Sequence, residues 1–141
     1  MTILVINSGS SSLKFQVIDS ENEEVLAKGV CERIGIDGRF TYRTRTGISL
    51  KEAVPMKNHT QAVHTLLDTL ADPEKGVIKD FREIDVIGHR LVHGGEKFTG
   101  SVVITDEVTQ AMTECNDLAP LHNPANLVGV EACRKLMPDT L

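Results

Sequence analysis

A pairing pattern of cysteines, a surplus of basic charge and an apolar run of membrane length are all missing from this chain, and each absence removes a class of function. Its 3 cysteines, Cys31, Cys115 and Cys133, are an odd set with no CxxC spacing, so neither a disulfide framework nor a zinc knuckle is indicated, and reduced, buried thiols are expected. The formal net charge is -5 and the pI is near 5.5. A nucleic-acid binder presents a net basic face to the phosphate backbone, so that partner is set aside. A small anionic substrate stays compatible, because a local basic site can sit in an acidic protein. Ahead of the apolar residues Ile3, Leu4, Val5 and Ile6 there is no positive leader region, and the run is far too short for a signal peptide or a membrane span. A cytoplasmic protein with no membrane partner is the expectation.

What remains is an ordinary globular composition: 141 residues, 40% hydrophobic and 25% charged, the size of one domain with enough apolar material for a core. The run from Thr2 to Asn7 is β-branched and apolar, which suits a buried strand, and Ser8 to Ser12 supplies a small-residue turn. Leu13, Phe15 and Val17 then alternate with Lys14, Gln16 and Ile18 as a second strand, and Asp19 to Asn22 turns the chain into a third strand within Glu24 to Ile34. Segments Arg39 to Arg45 and Ile48 to Val54 suggest a polar hairpin. Its Arg39, Arg43 and Arg45 read more readily as a solvated face than as a basic patch.

Ala62, Val63, Leu66, Leu67 and Leu70 repeat at helical spacing from a start near Asn58 or Thr60 to a stop at Asp72 and Pro73. With no HExxH pattern, His59 and His64 are expected as surface or partly buried imidazoles, not metal ligands. Ile84 to Val92 reads as a buried strand and Val102 to Ile104 as a short one. Thr105 caps a helix striped by Val108, Ala111, Met112 and Cys115, and Asn123 with Pro124 opens a last helix halted by Pro138. The expected order is βββ, a hairpin, then α, β, α, α, with no internal repeat.

Three short motifs carry chemistry. In Asn7 Ser8 Gly9 Ser10 Ser11 Ser12 Leu13 Lys14, small residues let backbone N–H groups turn inward as an anion-binding nest, with serine hydroxyls and a lysine beside it. It is not a P-loop, since no Gly-Lys-Ser/Thr run opens a helix, and a Ser/Gly turn taken alone is more often only a turn. In Gly88 to Phe98, GHRLVHGGEKF, Arg90 interrupts an apolar strand and needs an anion: a bound carboxylate or phosphate, or an internal acidic partner. His89 and His93 could not share a metal along a strand, where four residues span about 13 Å. In Leu118 to Pro124, LAPLHNP, a loop presents His122 beside apolar residues, a weak signal by itself.

NSGSSSLKF, GHRLVHGGEKF and LAPLHNP, in this order and at these separations, resemble the acetate kinase family, over effectively the whole chain from Ile3 to Met137. That family is a branch of the superfamily of sugar kinases, actin and the heat-shock chaperone ATPases. The resemblance implies an α/β, ribonuclease H-like (actin-like ATPase) domain, with opening βββ hairpins followed by αβα, truncated relative to the family. It implies that Asn7 helps hold the Mg2+ (or Mn2+) of the nucleotide complex, and that Ser10, Ser11, Ser12 and Lys14 face the ATP phosphates. Arg90 would bind acetate or the acyl phosphate, Val92 and Leu121 would wall the methyl pocket, and His122 would steady the transferring phosphoryl group.

The activity implied is reversible phosphoryl transfer from ATP to acetate, giving acetyl phosphate and ADP, by a homodimer. By the same resemblance residues 1–141 are an incomplete N-terminal domain. Further active-site residues and the C-terminal domain would lie beyond Leu141, so the chain alone would have little or no activity and would expose apolar surface on its last helices. A propionate kinase shares these motifs, while butyrate kinases are less similar around Arg90. A non-catalytic nucleotide-binding half-module is the reading from a different class.

Overall fold

A computed structural model describes residues 1–89, 122–138 and 140, with side chains in the last helix from Leu127 onward. The strands expected at the N-terminus form as β1 (Thr2–Ser8), β2 (Leu13–Asp19) and β3 (Glu24–Glu32), and β4 (Arg39–Thr44) with β5 (Ser49–Ala53) extends them as a meander. Helix α1 (His59–Leu70) and a short 3-10 turn (Phe81–Glu83) lead to β6 (Val86–His89), and α2 covers His122–Leu136. The six strands make one sheet in the order β5-β4-β3-β2-β1-β6. All neighbours are antiparallel except β1 and β6, which run parallel with Ile6 in register with His89. This mixed sheet, a five-strand meander followed by helix, strand and helix, is the arrangement expected of an actin-like ATPase half-domain.

Period-two alternation decides which side of each strand is buried. Leu4, Ile6, Leu13, Phe15, Val17, Phe40 and Tyr42 fill one face and pack against Ala62, Val63, Leu66 and Leu70 of α1 and Ala132, Cys133 and Met137 at α2. Phe15, Phe40 and Tyr42 stack on one another with ring centroids 6.0 to 6.5 Å apart. The stack closes because Gly29, opposite Phe15 in the ladder, has no side chain: a Cβ there would lie 2.6 Å from the Phe15 ring.

The β4–β5 hairpin is therefore only half polar, a correction to the sequence reading. Phe40 and Tyr42 belong to the core, with the Tyr42 hydroxyl donating to the Lys75 carbonyl at 2.8 Å. Arg39 and Arg43 are exposed on the opposite side, and Arg45 pairs with Glu24. Burial, reinforced by the charge of Asp72, pushes the Tyr42 hydroxyl from 10.0 up to about 12.

Helix α1 starts where the capping rules put it. The Asn58 side chain accepts from the Gln61 N–H at 2.9 Å, a cap that contributes about 1 kcal/mol. Cys31 and Cys133 are free, buried thiols, as expected, and burial pushes both from 9.0 up to about 12. Cys115, the strand at Val102 to Ile104 and the helix opening at Thr105 lie outside the described residues. Among the described residues of α2 the exposed large apolar side chain is Val128; the other helix expected to carry apolar surface lies outside the described residues.

Candidate active site

The turn between β1 and β2 is held rigidly on its inner side. Ser8 is buried at 2% exposure, and the Gly9 N–H donates to the Ser12 carbonyl at 2.8 Å across the turn. From the segment after β3, the Ile34 N–H donates to the Ser11 carbonyl at 2.9 Å. From the start of α1, His59 Nε2 stands 2.8 Å from the Gly9 carbonyl oxygen. A carbonyl oxygen only accepts, so Nε2 carries the proton. Outward, Ser10 and Ser11 are exposed and Ser12 is half-buried. Asn7 and Lys14 sit directly opposite each other in the β1–β2 ladder, both exposed. The result is a short polar ridge of an amide, hydroxyl groups and one ammonium, the donor chemistry that an oxyanion such as phosphate accepts.

His59 was missed. It was expected at the surface or partly buried, and it is 7% exposed and tied to the turn. The signal was available: His59 precedes Ala62, Val63, Leu66 and Leu70 by three, four, seven and eleven residues, which puts it on the buried stripe of α1. His64 lies off that stripe, is exposed and pairs with Asp68 at 3.0 Å.

Below Asn7 and Lys14 the same side of the sheet carries Gln16, Lys28 and Arg43, which line an open hollow of about 540 Å³ with Val5 at its floor. Its cations Lys14, Lys28 and Arg43 are solvated side chains. They nevertheless leave this side of an acidic protein locally positive.

The carboxyl end of β6 stands beside the carboxyl end of β1, because the two strands are parallel. Helix α2 is pressed against both. A Cβ on Gly129 would lie 2.5 Å from His89 Nε2 and 2.5 Å from Ser8 Cβ, so only glycine lets the helix approach this closely. Further along, Cys133 and Met137 enter the core, so α2 runs from the strand ends into the core. His122 is its first residue, seven positions before Gly129, which at the helical rise is roughly 10 Å farther along the axis on the strand-end side. The sequence reading put His122 in a loop. The helix instead begins there, since Pro124 in the first turn costs no backbone hydrogen bond.

The topology thus brings Asn7, Ser10, Ser11, Ser12 and Lys14 to the same end of the sheet as the last residue of β6 and the head of α2. Arg90, Val92 and Leu121 lie outside the described residues. Among the described residues no group of three or more His, Cys, Asp or Glu is arranged to hold a metal ion. No described helix is long and apolar enough to cross a membrane.

The sequence model of the Acetokinase family matches residues 2–141. The chain belongs to the acetokinase family. Among curated relatives, this acetokinase-family chain is 59% identical over 141 residues to the acetate kinase of Agathobacter rectalis, covering 99% of the chain and 35% of that protein. It is 55% identical to the acetate kinase of Clostridioides difficile, again covering 99% of the chain and 35% of the relative. Among solved structures it is similar to Porphyromonas gingivalis acetate kinase, with a TM-score of 0.94 and 46% identity over 98% of this chain and 35% of that one. It is also similar to a propionate kinase from Francisella tularensis, with a TM-score of 0.88 and 31% identity over 99% of this chain and 35% of that one. The chain thus spans about a third of the length of the relatives it matches.

Proposed function

We propose that residues 1–141 form the phosphate-facing N-terminal domain of a cytoplasmic, homodimeric acetate kinase, and that ATP and acetate meet at the end of the sheet where β1, β6 and α2 converge. In this reading Ser10, Ser11, Ser12 and Lys14 hold the nucleotide phosphates. Arg90, one residue past His89, is the carboxylate-binding guanidinium, matched to a planar anion by its fork of donors. Val92 and Leu121 limit the size of the acyl group, and His122 steadies the transferring phosphoryl. The observation that carries the reading is the convergence of the serine turn, the end of β6 and the head of α2 at one sheet end. In open α/β sheets that is where ligands bind, outside the carboxyl ends of the strands.

Acetate attacks as a carboxylate and needs no side chain to deprotonate it, so the residues act by positioning and by neutralising charge on the phosphoryl oxygens. Mg2+ prefers oxygen ligands and usually keeps phosphates and waters among them, so the amide oxygen of the exposed Asn7 fits as a single protein ligand; among the described residues no carboxylate cluster offers an alternative. When bound, the ion would neutralise charge on the nucleotide phosphates. Acetate is favoured over propionate because the relatives named above that share 46% to 59% identity with this chain are acetate kinases.

The relatives are about three times as long, and a cleft with one wall cannot exclude water from a phosphoryl group. The chain alone is therefore expected to be inactive or nearly so. ATP-dependent acyl phosphate formation, trapped as hydroxamate with acetate and propionate side by side, tests this. Turnover by the 141-residue chain would overturn the half-site argument. In a chain of the relatives' length, Arg90→Ala should lower kcat/KM for acetate by at least a hundredfold, and normal kcat/KM in that variant would overturn the assignment of Arg90.

A further inference from the structure

We infer that His59 is a positioning residue for the phosphate-facing turn: it fixes the Gly9 carbonyl from the first turn of α1 and so holds Ser10, Ser11 and Ser12 in the orientation that receives an anion. This rests on the reading of that turn as the phosphate site, and it adds a residue that none of the three motifs contains.

The geometry is specific. His59 is buried at 7% exposure, at the first position of α1, immediately after the Asn58 cap. Its Nε2 lies 2.8 Å from the Gly9 oxygen, fifty residues away in sequence. Helix α1 is anchored in the core by Ala62, Val63, Leu66 and Leu70, each 0% exposed, so the imidazole is mounted on a rigid support. Gly9 is then held at both of its peptide groups: its N–H donates to the Ser12 carbonyl at 2.8 Å, and its carbonyl accepts from His59. The Ile34 N–H fixes the Ser11 carbonyl at 2.9 Å. With these carbonyls engaged on the inner side, they are kept from turning outward, where they would repel a phosphate oxygen.

The bond does not require His59 to be charged, since the neutral tautomer with its proton on Nε2 donates equally well. The role is therefore mechanical, and an amide that reaches the same point should replace the ring. His59→Gln offers such a donor. His59→Leu keeps comparable bulk and offers none.

The test is amide hydrogen exchange on the 141-residue chain by NMR, with Mg-ATP titrated separately into a chain of the relatives' length. A hydrogen bond of ordinary net strength corresponds to a roughly three- to tenfold change in local opening. In His59→Leu, exchange at the Gly9 and Ile34 amides should rise by about that factor while the Leu66 and Leu70 amides inside α1 keep their rates, and His59→Gln should restore the parent values. Unchanged exchange at Gly9 and Ile34 would overturn the proposal. So would a uniform rise over the turn and α1 together, or failure of Gln to rescue, since either indicates general loosening of the core. The titration separates this from the reading it rests on. If Mg-ATP shifts no resonance from Gly9 to Lys14 in a chain of the relatives' length while the local exchange effect stands, His59 still positions the turn and the phosphate assignment fails.

Discussion

The two sides of the sheet are built from alternate residues of the same strands, and they obey different rules. On one side Leu4, Ile6, Phe15, Val17, Phe40 and Tyr42 are buried to 2% exposure or less beneath α1 and α2. On the other, Asn7, Lys14, Gln16, Lys28 and Arg43 are exposed around an open hollow. Phe15 and Gln16 are neighbours in sequence, one in a close-packed stack and the other in solvent. The packed side sets the stability of the domain, because cavities there cannot collapse, and the open side sets its charge. The serine turn is where the two meet, clamped from the packed side by His59 and open outward at Ser10 and Ser11.

The comparison is broken most severely at the aromatic stack. Phe15→Ala should cost about 3–5 kcal/mol in urea unfolding, whereas Gln16→Ala, one residue away, should stay within about 0.5 kcal/mol. Equal effects at the two positions would mean that the sheet has no preferred side.

Alkaline pH attacks the same side without a mutation. In the unfolded chain the thiols of Cys31 and Cys133 release their protons near 9.0, and in the folded chain burial holds them until about 12. Between those values the unfolded state binds fewer protons, so stability falls as pH rises, by up to about 1.4 kcal/mol per pH unit for each thiol. Denaturant midpoints measured from pH 8 to 11 should decline above 9 and recover part of the loss in Cys31→Ala or Cys133→Ala, once each variant's own offset at pH 8 is subtracted. At pH 8 neither thiol should react with iodoacetamide in the folded protein.

Gly129→Ala sharpens the contrast where α2 crosses the strand ends. Helix propensity alone favours alanine by about 1 kcal/mol, but the new methyl would meet Ser8 and His89 at 2.5 Å. Overpacking should win, with a net loss of about 1–2 kcal/mol in thermal unfolding. A stabilised variant would show that α2 can move away from β1 and β6 at no cost. The smallest effect belongs to the open side: Lys28→Ala should change stability by less than about 0.5 kcal/mol at any salt concentration.

Much of this was legible beforehand. The alternation of Leu13, Phe15 and Val17 marked β2, and Asn58 with the stripe from Ala62 to Leu70 marked α1 and its cap. Phe40 and Tyr42 were lost among arginines on the intervening positions, although their own period of two pointed inward. His59 was lost because a single histidine has no chemistry of its own in a sequence, and only the stripe of α1 shows that it faces the core. The turn's hydroxyl groups and Lys14 were visible as residue types, but their shared orientation was not.

The sequence alone determined most of the local elements, the buried face of β2, the buried stripe of α1 and the three motifs, because periodicity, capping and turn chemistry act over a few residues. Only the tertiary structure decided that β6 lies parallel to β1, that α2 is seated on both through Gly129, and that His59 reaches back to Gly9. Those contacts join residues up to more than a hundred positions apart, and they follow from how whole faces pack, which no local pattern encodes.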